Sequence, residues 1–242
     1  MKKLIAVLAL ITFNVHAAPD CRELPSCESL GFVCTAEECG DLKALSCPFD
    51  TSKKICFPKD KECEVGDILY NDFKCHDASC NKTPIAIVYD TEHRLALLPG
   101  SSGYLSWGGY GYDIPDLENC DKNSSIETCA TSGKANTLAI INYGKENNIS
   151  FPPAEFCYNS TYADMPVGTF WLPSVHEIVL MGKNAGDALY QGLAKLNTSL
   201  LSRMWSSNEQ DSSAIWAGYT DMSRGGFNKQ GAILFTVCVT GY

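Results

Sequence analysis

The residue types best suited to catalysis in this sequence are its histidines. His176 is followed by Glu177, as in the first half of the His-Glu-x-x-His zinc motif of metalloproteases. That motif needs a second histidine one helical turn later, where position 180 is a leucine. His76 and His93 lie far away along the chain and lack a partner nucleophile, so we predict no catalytic, cofactor-binding or metal-binding residues and no enzyme.

Thirteen cysteines are the strongest chemical feature of the chain. None belongs to a Cys-x-x-Cys pair, the usual spacing of zinc ligands and of thioredoxin-like redox sites. We therefore interpret the cysteines as disulfide-forming. Structural disulfides persist in oxidising compartments, so their number also predicts a protein that leaves the cytoplasm.

Residues 1–17 have the organisation of a bacterial secretory signal peptide. Two lysines precede an apolar run from Leu4 to Phe13, and Ala17 stands at a small-residue cleavage site. We predict a secreted, periplasmic or cell-surface protein. The apolar run is shorter than the roughly 20 residues that span a bilayer, and no second run of that length follows, so we expect no membrane span.

The charge of the chain narrows its range of partners. Its 28 acidic and 19 basic side chains give a formal net charge of −9. Binding to nucleic acid, anionic membranes or sulfated sugars depends on clustered lysine and arginine. We therefore expect none of these as the main partner. The hydrophobic fraction of 45% indicates an ordinary globular core.

Cysteine density divides the mature chain into two predicted domains. Residues 18–63 carry seven cysteines and few apolar runs, which is typical of a small module held together by disulfides. Since seven is odd, one cysteine is free, pairs with another chain in a homo-oligomer, or bonds into the second domain. The second domain covers residues 64–242.

The pattern of the second domain is strands, then helices, then strands, which predicts an α+β fold. Runs rich in β-forming residues predict strands at 67–70, 84–89, 94–98, 203–206, 214–220 and 233–239. Helices are predicted at 154–160, from the Ser174–Glu177 capping box onward, and around residues 189–196. Residues 99–136 and 223–231 are rich in glycine and polar side chains, and we predict loops there.

Two pairs of neighbouring cysteines are candidates for loop-closing disulfides. Cys75 and Cys80 bound a short segment between two predicted strands. Cys120 and Cys129 lie within the long loop at 99–136, where a bond between them would hold the loop together.

Aromatic and polar side chains close together in loops are candidates for ligand contact, because rigid rings bind with little loss of entropy. The candidates lie in the segment 107–113 and the stretch 205–229: Trp107, Tyr110, Asn208, Glu209, Asp211, Trp216, Tyr219 and Arg224. For Trp205 and Trp216 the alternative is packing in the core. For the loop residues it is an ordinary solvated turn.

Three spaced motifs resemble those of the Lcl C-terminal domain family of exported bacterial proteins. They are Gly-Thr-Phe-Trp-Leu-Pro-Ser-x-x-Glu at 168–177, Met-Trp-Ser-Ser-Asn-Glu at 204–209 and Phe-Thr-Val-Cys-Val at 235–239. The resemblance covers residues 64–242. It implies a C-type lectin-like fold, with two or three short helices and a looped antiparallel sheet. That fold bridges its first helix to its last strand, which implies a bond between Cys157 and Cys238.

The family motifs, the missing catalytic groups and the number of cysteines together predict a function: an exported recognition or adhesion protein that binds a glycan or a surface protein through its loops, without catalysis. The lectin calcium signatures Glu-Pro-Asn and Trp-Asn-Asp are absent from the chain, which argues against calcium-dependent sugar binding. Two alternatives stay open. One is a secreted enzyme on a lectin-like scaffold, and the other is a structural surface-assembly component that oligomerises through the odd cysteine.

Overall fold

The computed structural model describes most of the predicted second domain and parts of the first. Side chains are described for residues 61–76, 82–100, 103–115, 117, 125–126, 132–198 and 203–242, and backbone alone for 34–35, 43–47, 50–57 and 60. The predicted signal peptide at 1–17 and the predicted bond between Cys120 and Cys129 lie outside the described residues.

The chain divides into two compact units, residues 1–61 with 76–83 and residues 62–75 with 84–242. The first unit contains a three-stranded antiparallel sheet in the order β1-β3-β2. Its strands are β1 (Cys34–Thr35), β2 (Lys43–Cys47) and β3 (Asp50–Phe57), followed by the short strand β4 (Asp60–Lys61).

The first sheet of the second unit is antiparallel, with the order β14-β8-β7-β5-β6. Its strands are β5 (Ile68–Tyr70), β6 (Cys75–His76), β7 (Pro84–Asp90), β8 (Leu95–Leu97) and β14 (Val239–Gly241). Residues 85–90 of β7 are all buried, as expected for an apolar run in the middle of a sheet that is covered on both faces. The strands predicted at 67–70, 84–89 and 94–98 are therefore confirmed.

The second sheet has the order β12-β11-β10-β13-β9 and is antiparallel except for the pair β10–β13. Its strands are β9 (Tyr104–Ser106), β10 (Arg203–Glu209), β11 (Ala214–Tyr219), β12 (Arg224–Asn228) and β13 (Ile233–Phe235). The prediction of a single strand at 233–239 was wrong. The chain leaves the second sheet after β13 and joins the first sheet as β14.

Three predicted helices are confirmed and one helix was missed. In the part of the chain that the structure describes, the helices are α1 (Gly133–Asn147), α2 (Pro152–Tyr158), α3 (Val175–Lys183) and α4 (Asp187–Lys195), with a 3-10 turn at Tyr162–Asp164. The missed helix is α1, whose first residues were assigned to the loop at 99–136. The fold class, α+β, is confirmed for the described part of the chain.

Polar side chains on the buried face of α1 explain why its sequence does not look helical. The Asn136 amide donates to the Ser207 hydroxyl (3.3 Å), and the Thr137 hydroxyl donates to the Leu172 carbonyl oxygen (3.2 Å). The apolar periodicity that normally marks an amphipathic helix is therefore weak. Caps define the ends instead: the Ser132 side chain accepts from the Ala135 N–H, and Asn148 has a left-handed backbone.

The disulfide between Cys157 and Cys238 is present, as the resemblance implied. It joins α2 to the segment between β13 and β14, with the two Cα atoms 5.3 Å apart and the partners 81 positions apart in the sequence. Closing a loop of this size in the unfolded chain corresponds to about 4–5 kcal/mol of stabilisation in the loop-entropy treatment. The bond fixes the point at which the chain passes from one sheet to the other.

The predicted bond between Cys75 and Cys80 was wrong, because Cys75 is bonded to Cys63. The turn after β5 brings β6 back so that Cys75 pairs with Leu69, and the chain before β5 lies alongside it. The Cα atoms of Cys63 and Cys75 are consequently 5.3 Å apart. Cys63 therefore forms a bond from the predicted first domain into the second, and the pairing of the other six cysteines at 18–63 lies outside the described side chains.

Within the described residues, no helix has both the length and the apolar character needed to cross a bilayer.

The buried core of the second unit contains Trp107, Trp205, Phe151 and Phe170 in one cluster and Tyr89, Trp171 and Ile178 in another. Trp205 and Trp216 are 0% and 6% exposed, so packing in the core, the alternative reading of both, is confirmed.

Candidate recognition site

A buried pair of opposite charges forms the base of the candidate site. Glu209 ends β10 and Lys229 follows β12, and both side chains are completely buried. The Lys229 ammonium donates to Oε1 of Glu209 and, at 2.7 Å, to the Tyr112 carbonyl oxygen. It also lies 5.1 Å from the centroid of the Trp107 ring. Burial raises the pKa of Glu209, and the hydrogen bonds from Lys229 and the Ile114 N–H oppose that rise.

The pair attaches the loop at 107–114 to the second sheet. The Ile114 N–H donates to Oε2 of Glu209 at 3.0 Å, and the Gly111 N–H donates to the Ser212 carbonyl oxygen at 2.9 Å. At the start of the loop, the indole N–H of Trp107 donates to the Ser206 carbonyl oxygen at 3.0 Å. The loop, which we call the recognition loop, is therefore attached at its beginning, middle and end.

Two glycines let the recognition loop lie directly on the segment that leads into α2. Gly108 and Gly109 have φ values of +86° and +60°, a region that side chains disfavour. A Cβ on Gly108 would lie 2.3 Å from the Ser150 carbonyl oxygen, and one on Gly109 would lie 2.1 Å from a carbon of the Phe151 ring. A substitution at either position would therefore displace the loop from Ser150 and Phe151.

Two tyrosines project from this anchored backbone. Tyr110 is 47% exposed and Tyr112 is 46% exposed, whereas Trp107, at the base of the loop, is 1% exposed. A tyrosine ring combines a large apolar area with a hydroxyl that donates or accepts hydrogen bonds. The arrangement is chemically suited to contact with another molecule.

The structure separates the predicted contact residues by burial. Trp107, Asn208 and Glu209 are internal, so the prediction that they contact a ligand was wrong for their side chains. The reason is a structural role in each case. Asn208, for example, accepts from the Val175 N–H at the start of α3 (2.7 Å). Tyr110 is exposed, and so is Asp211, whose carboxylate accepts from the Ser213 N–H and hydroxyl, which lower its pKa.

The remaining predicted contacts lie along β11 and β12 and do not form one site. Trp216 and Tyr219 are separated by three positions on β11, so their side chains point to opposite faces of the strand. Trp216 is buried with the Arg224 guanidinium 4.4 Å from its ring centroid. Tyr219 is half-buried, and the Arg203 guanidinium lies 5.3 Å from the centroid of its ring.

The internal role of Lys229 is not visible in the sequence. A lysine in a glycine-rich polar segment is normally a solvated side chain, and no local pattern shows that its partner lies 20 positions earlier. The exposed tyrosines, in contrast, lie in a segment with alternating glycines, which is a usable signal for a shaped loop.

Glu177 has the structural role assigned to it from the capping box. The Glu177 N–H donates to the Ser174 hydroxyl. The Glu177 carboxylate accepts from the N–H groups of Ser174 and Gly133, both at 3.0 Å, and from the Trp171 indole N–H at 3.1 Å. Burial raises its pKa to about 7, against the effect of these donors. The motif at 168–177 thus joins the starts of α1 and α3.

Two histidines that are distant in sequence are neighbours in the fold. The ring centroids of His93 and His176 are 5.7 Å apart, and Nδ1 of His93 lies 3.0 Å from a carboxylate oxygen of Asp90. The other oxygen of Asp90 accepts from the Asn184 amide at 2.9 Å. Among the described residues, no group of three or more His, Cys, Asp or Glu side chains is arranged to hold a metal ion.

The fold is similar to that of a solved fimbrial protein from Bacteroides ovatus, with a TM-score of 0.58 and 15% sequence identity. The match covers 74% of this chain and 49% of that protein, so the chain spans about half the length of the solved protein it matches. No protein-family model and no curated protein matches the chain. At this identity the likeness concerns the fold alone, and the resemblance to the Lcl C-terminal domain family stays a prediction.

Proposed function

We propose that this protein is an exported bacterial recognition or adhesion protein, without catalysis, that binds a glycan or a surface protein through the recognition loop. One observation carries the proposal. Two exposed tyrosines stand on a loop whose backbone is held from below by the buried pair of Glu209 and Lys229.

An ordered binding surface loses less conformational entropy on binding than a flexible one. A flexible loop loses conformational freedom when it binds, at about 0.5–1.5 kcal/mol for each immobilised side chain that is rich in rotamers. The recognition loop is already ordered by Trp107, Gly111 and Ile114, and tyrosine has few rotatable bonds. Binding energy from the rings is therefore retained as affinity.

Other features support the exported location and a C-type lectin-like scaffold. The disulfides Cys63–Cys75 and Cys157–Cys238 are suited to an oxidising compartment. The bridge between a helix and the closing segment of an α+β unit supports the lectin-like scaffold, although Cys157 lies on α2 and not on the first described helix. The similar solved protein is described as fimbrial, which fits a role at the cell surface.

The test is binding of the purified mature protein to arrays of glycans and of extracellular surface proteins. We expect at least one ligand whose binding weakens about tenfold or more in Tyr110→Ala and Tyr112→Ala, the size of effect typical of an interface hot spot. Tyr190→Ala is the matched control, because Tyr190 is 52% exposed on α4. Absence of any ligand, or an equal loss in the control, would contradict the proposal.

A role as a structural component of a surface assembly is the second candidate, favoured by the fimbrial description of the similar protein. Cys63 is bonded within the chain, so it is not the cysteine that links copies. Covalent assembly predicts a dimer band on non-reducing gels that disappears with reductant. A purely monomeric band would reject it.

A further inference from the structure

A concave site lies between the end of α1 and the start of α2, and we call it the α1–α2 hollow. Its volume is about 390 Å³, which is within the range of about 300–1,000 Å³ found for small-molecule sites. Ile141 and Ile149 supply an apolar floor, and the polar rim consists of Lys145, Asn148, Ser150, Glu155 and Asn159.

The acceptor at the rim is held in one orientation. One oxygen of the Glu155 carboxylate accepts from the Ser150 hydroxyl at 2.9 Å, and the other accepts from the Phe151 N–H at 2.8 Å. A carboxylate has about four acceptor positions, so each oxygen retains capacity for one more donor. Glu155 is thereby prepared to receive two neighbouring hydroxyl groups.

Three other rim side chains, all exposed to solvent, have hydrogen-bonding capacity that the described residues do not use. The side-chain amides of Asn148 and Asn159 make no hydrogen bonds in the described part of the structure. The Lys145 ammonium lies 5.5 Å from the centroid of the Tyr158 ring and makes no ion pair there. Each amide offers two donors and an acceptor, so the rim presents donors and acceptors side by side.

The charges around the hollow disfavour a charged ligand. Glu155 and the negative end of the α1 dipole oppose an anion, and Lys145 opposes a cation. A molecule that satisfies closely spaced donors and acceptors without a net charge carries several hydroxyl groups. We propose that the α1–α2 hollow binds a neutral saccharide. This ligand class deepens the proposed function and rests on it.

The hollow and the recognition loop share one segment of the chain. Ser150 lines the hollow, and its carbonyl oxygen is where Gly108 of the loop packs. The rings of Trp107 and Phe151 meet edge to face, with centroids 5.3 Å apart. The hollow and the loop that carries Tyr110 and Tyr112 therefore meet at residues 150–151.

The test is a titration of the mature protein, followed by backbone amide NMR, with glucose, galactose, mannose and N-acetylglucosamine, and with glucuronic acid and glucosamine as charged probes. We expect at least one neutral sugar to shift amides at 141–159 in a saturable way, and the charged probes to bind about fivefold or more weakly. Asn159→Ala should weaken binding about tenfold, the equivalent of one or two hydrogen bonds. Asn147→Ala is the matched control, since the Asn147 amide already donates to the Tyr143 carbonyl oxygen.

Each outcome separates this inference from the function on which it rests. If no neutral sugar shifts residues 141–159, or if Asn147→Ala weakens binding as much as Asn159→Ala, the saccharide site is wrong. The recognition function would still stand if array binding depends on Tyr110 and Tyr112. If sugars saturate the hollow while no array ligand depends on the tyrosines, the site stands and the role of the recognition loop is wrong.

Discussion

Glu177 and Glu209 are both buried carboxylates that join separate segments of the second unit, but their partners differ. Glu177 accepts three N–H groups, from Ser174, Gly133 and Trp171. Glu209 accepts one N–H group, from Ile114, and the ammonium of Lys229. A buried charge is costly unless it is paired. The protonation of Glu177 therefore depends on pH, whereas the Glu209 carboxylate depends on Lys229 to balance its charge.

The contrast suits the roles of the two regions. Glu177 lies under Trp171 at the junction of α1 and α3, where it shapes the interior. Glu209 holds the recognition loop, where a stable ion pair keeps the exposed tyrosines in position. Hydrogen bonds from N–H groups hold the carboxylate at the internal junction, whereas a full charge pair anchors the loop at the surface.

The largest expected effect comes from breaking the ion pair on one side. Lys229→Met leaves the Glu209 carboxylate buried without a cation, and we expect a loss of about 3–5 kcal/mol in the free energy of unfolding. Urea denaturation measures it. The double variant Glu209→Leu with Lys229→Met should recover much of the loss, because it removes the isolated charge. A loss under about 1 kcal/mol in the single variant would show that the pair is not the anchor of the loop.

The second prediction concerns pH and Glu177. Its pKa rises from 4.5 in the unfolded chain to about 7 in the fold, so the folded protein holds the proton more tightly. The stabilisation is fully present below pH 4.5 and is lost as the pH rises through about 7, by about 3 kcal/mol. In Glu177→Gln, the free energy of unfolding measured by chemical denaturation should not show this loss between pH 4.5 and about 7. The same pH dependence in both proteins would contradict the assignment.

A smaller change tests the donors around Glu177. Trp171→Phe removes the indole N–H while keeping most of the buried ring, and we expect a loss of about 1–2 kcal/mol. The pKa of Glu177 should rise further, because the lost hydrogen bond favoured the charged form. The pH at which stability changes would then move upward, as chemical denaturation at several pH values would show. A downward shift of this pH would contradict the hydrogen bond from the Trp171 indole to Glu177.

The smallest effect on stability is expected at the tip of the recognition loop. Tyr112→Ala keeps the backbone carbonyl that accepts from Lys229 and removes only an exposed ring, so the free energy of unfolding should change by no more than about 0.5 kcal/mol. Thermal and urea denaturation measure the change. A loss comparable to that of Lys229→Met would mean that the ring itself supports the loop.

Local signals predicted the parts of the fold that local contacts form. The capping box of Ser174 and Glu177 is complete within four residues, and α3 begins where the sequence places it. The resemblance of spaced motifs supplied the bond between Cys157 and Cys238, which spacing alone does not provide. The segments predicted least well are α1, with its polar buried face, and β12, with two adjacent glycines.

The candidate site shows the same division. The glycines and tyrosines of the recognition loop are visible in the sequence, but the burial of Trp107, Asn208 and Glu209 is not. Gly225 and Gly226 belong to a strand only because β12 pairs with β11. Lys229 is internal only because Glu209, elsewhere in the chain, is its partner.

By itself, the amino-acid sequence determined the α+β class, the positions of three helices and most strands, because propensity and capping act over a few neighbouring residues. The tertiary structure alone decided which cysteine bonds to Cys75, where the closing segment changes sheets, and which aromatic side chains reach the solvent. Those outcomes depend on contacts between residues that are far apart in the chain, such as Glu209 with the recognition loop at 107–114. Short-range preference carries no information about such contacts.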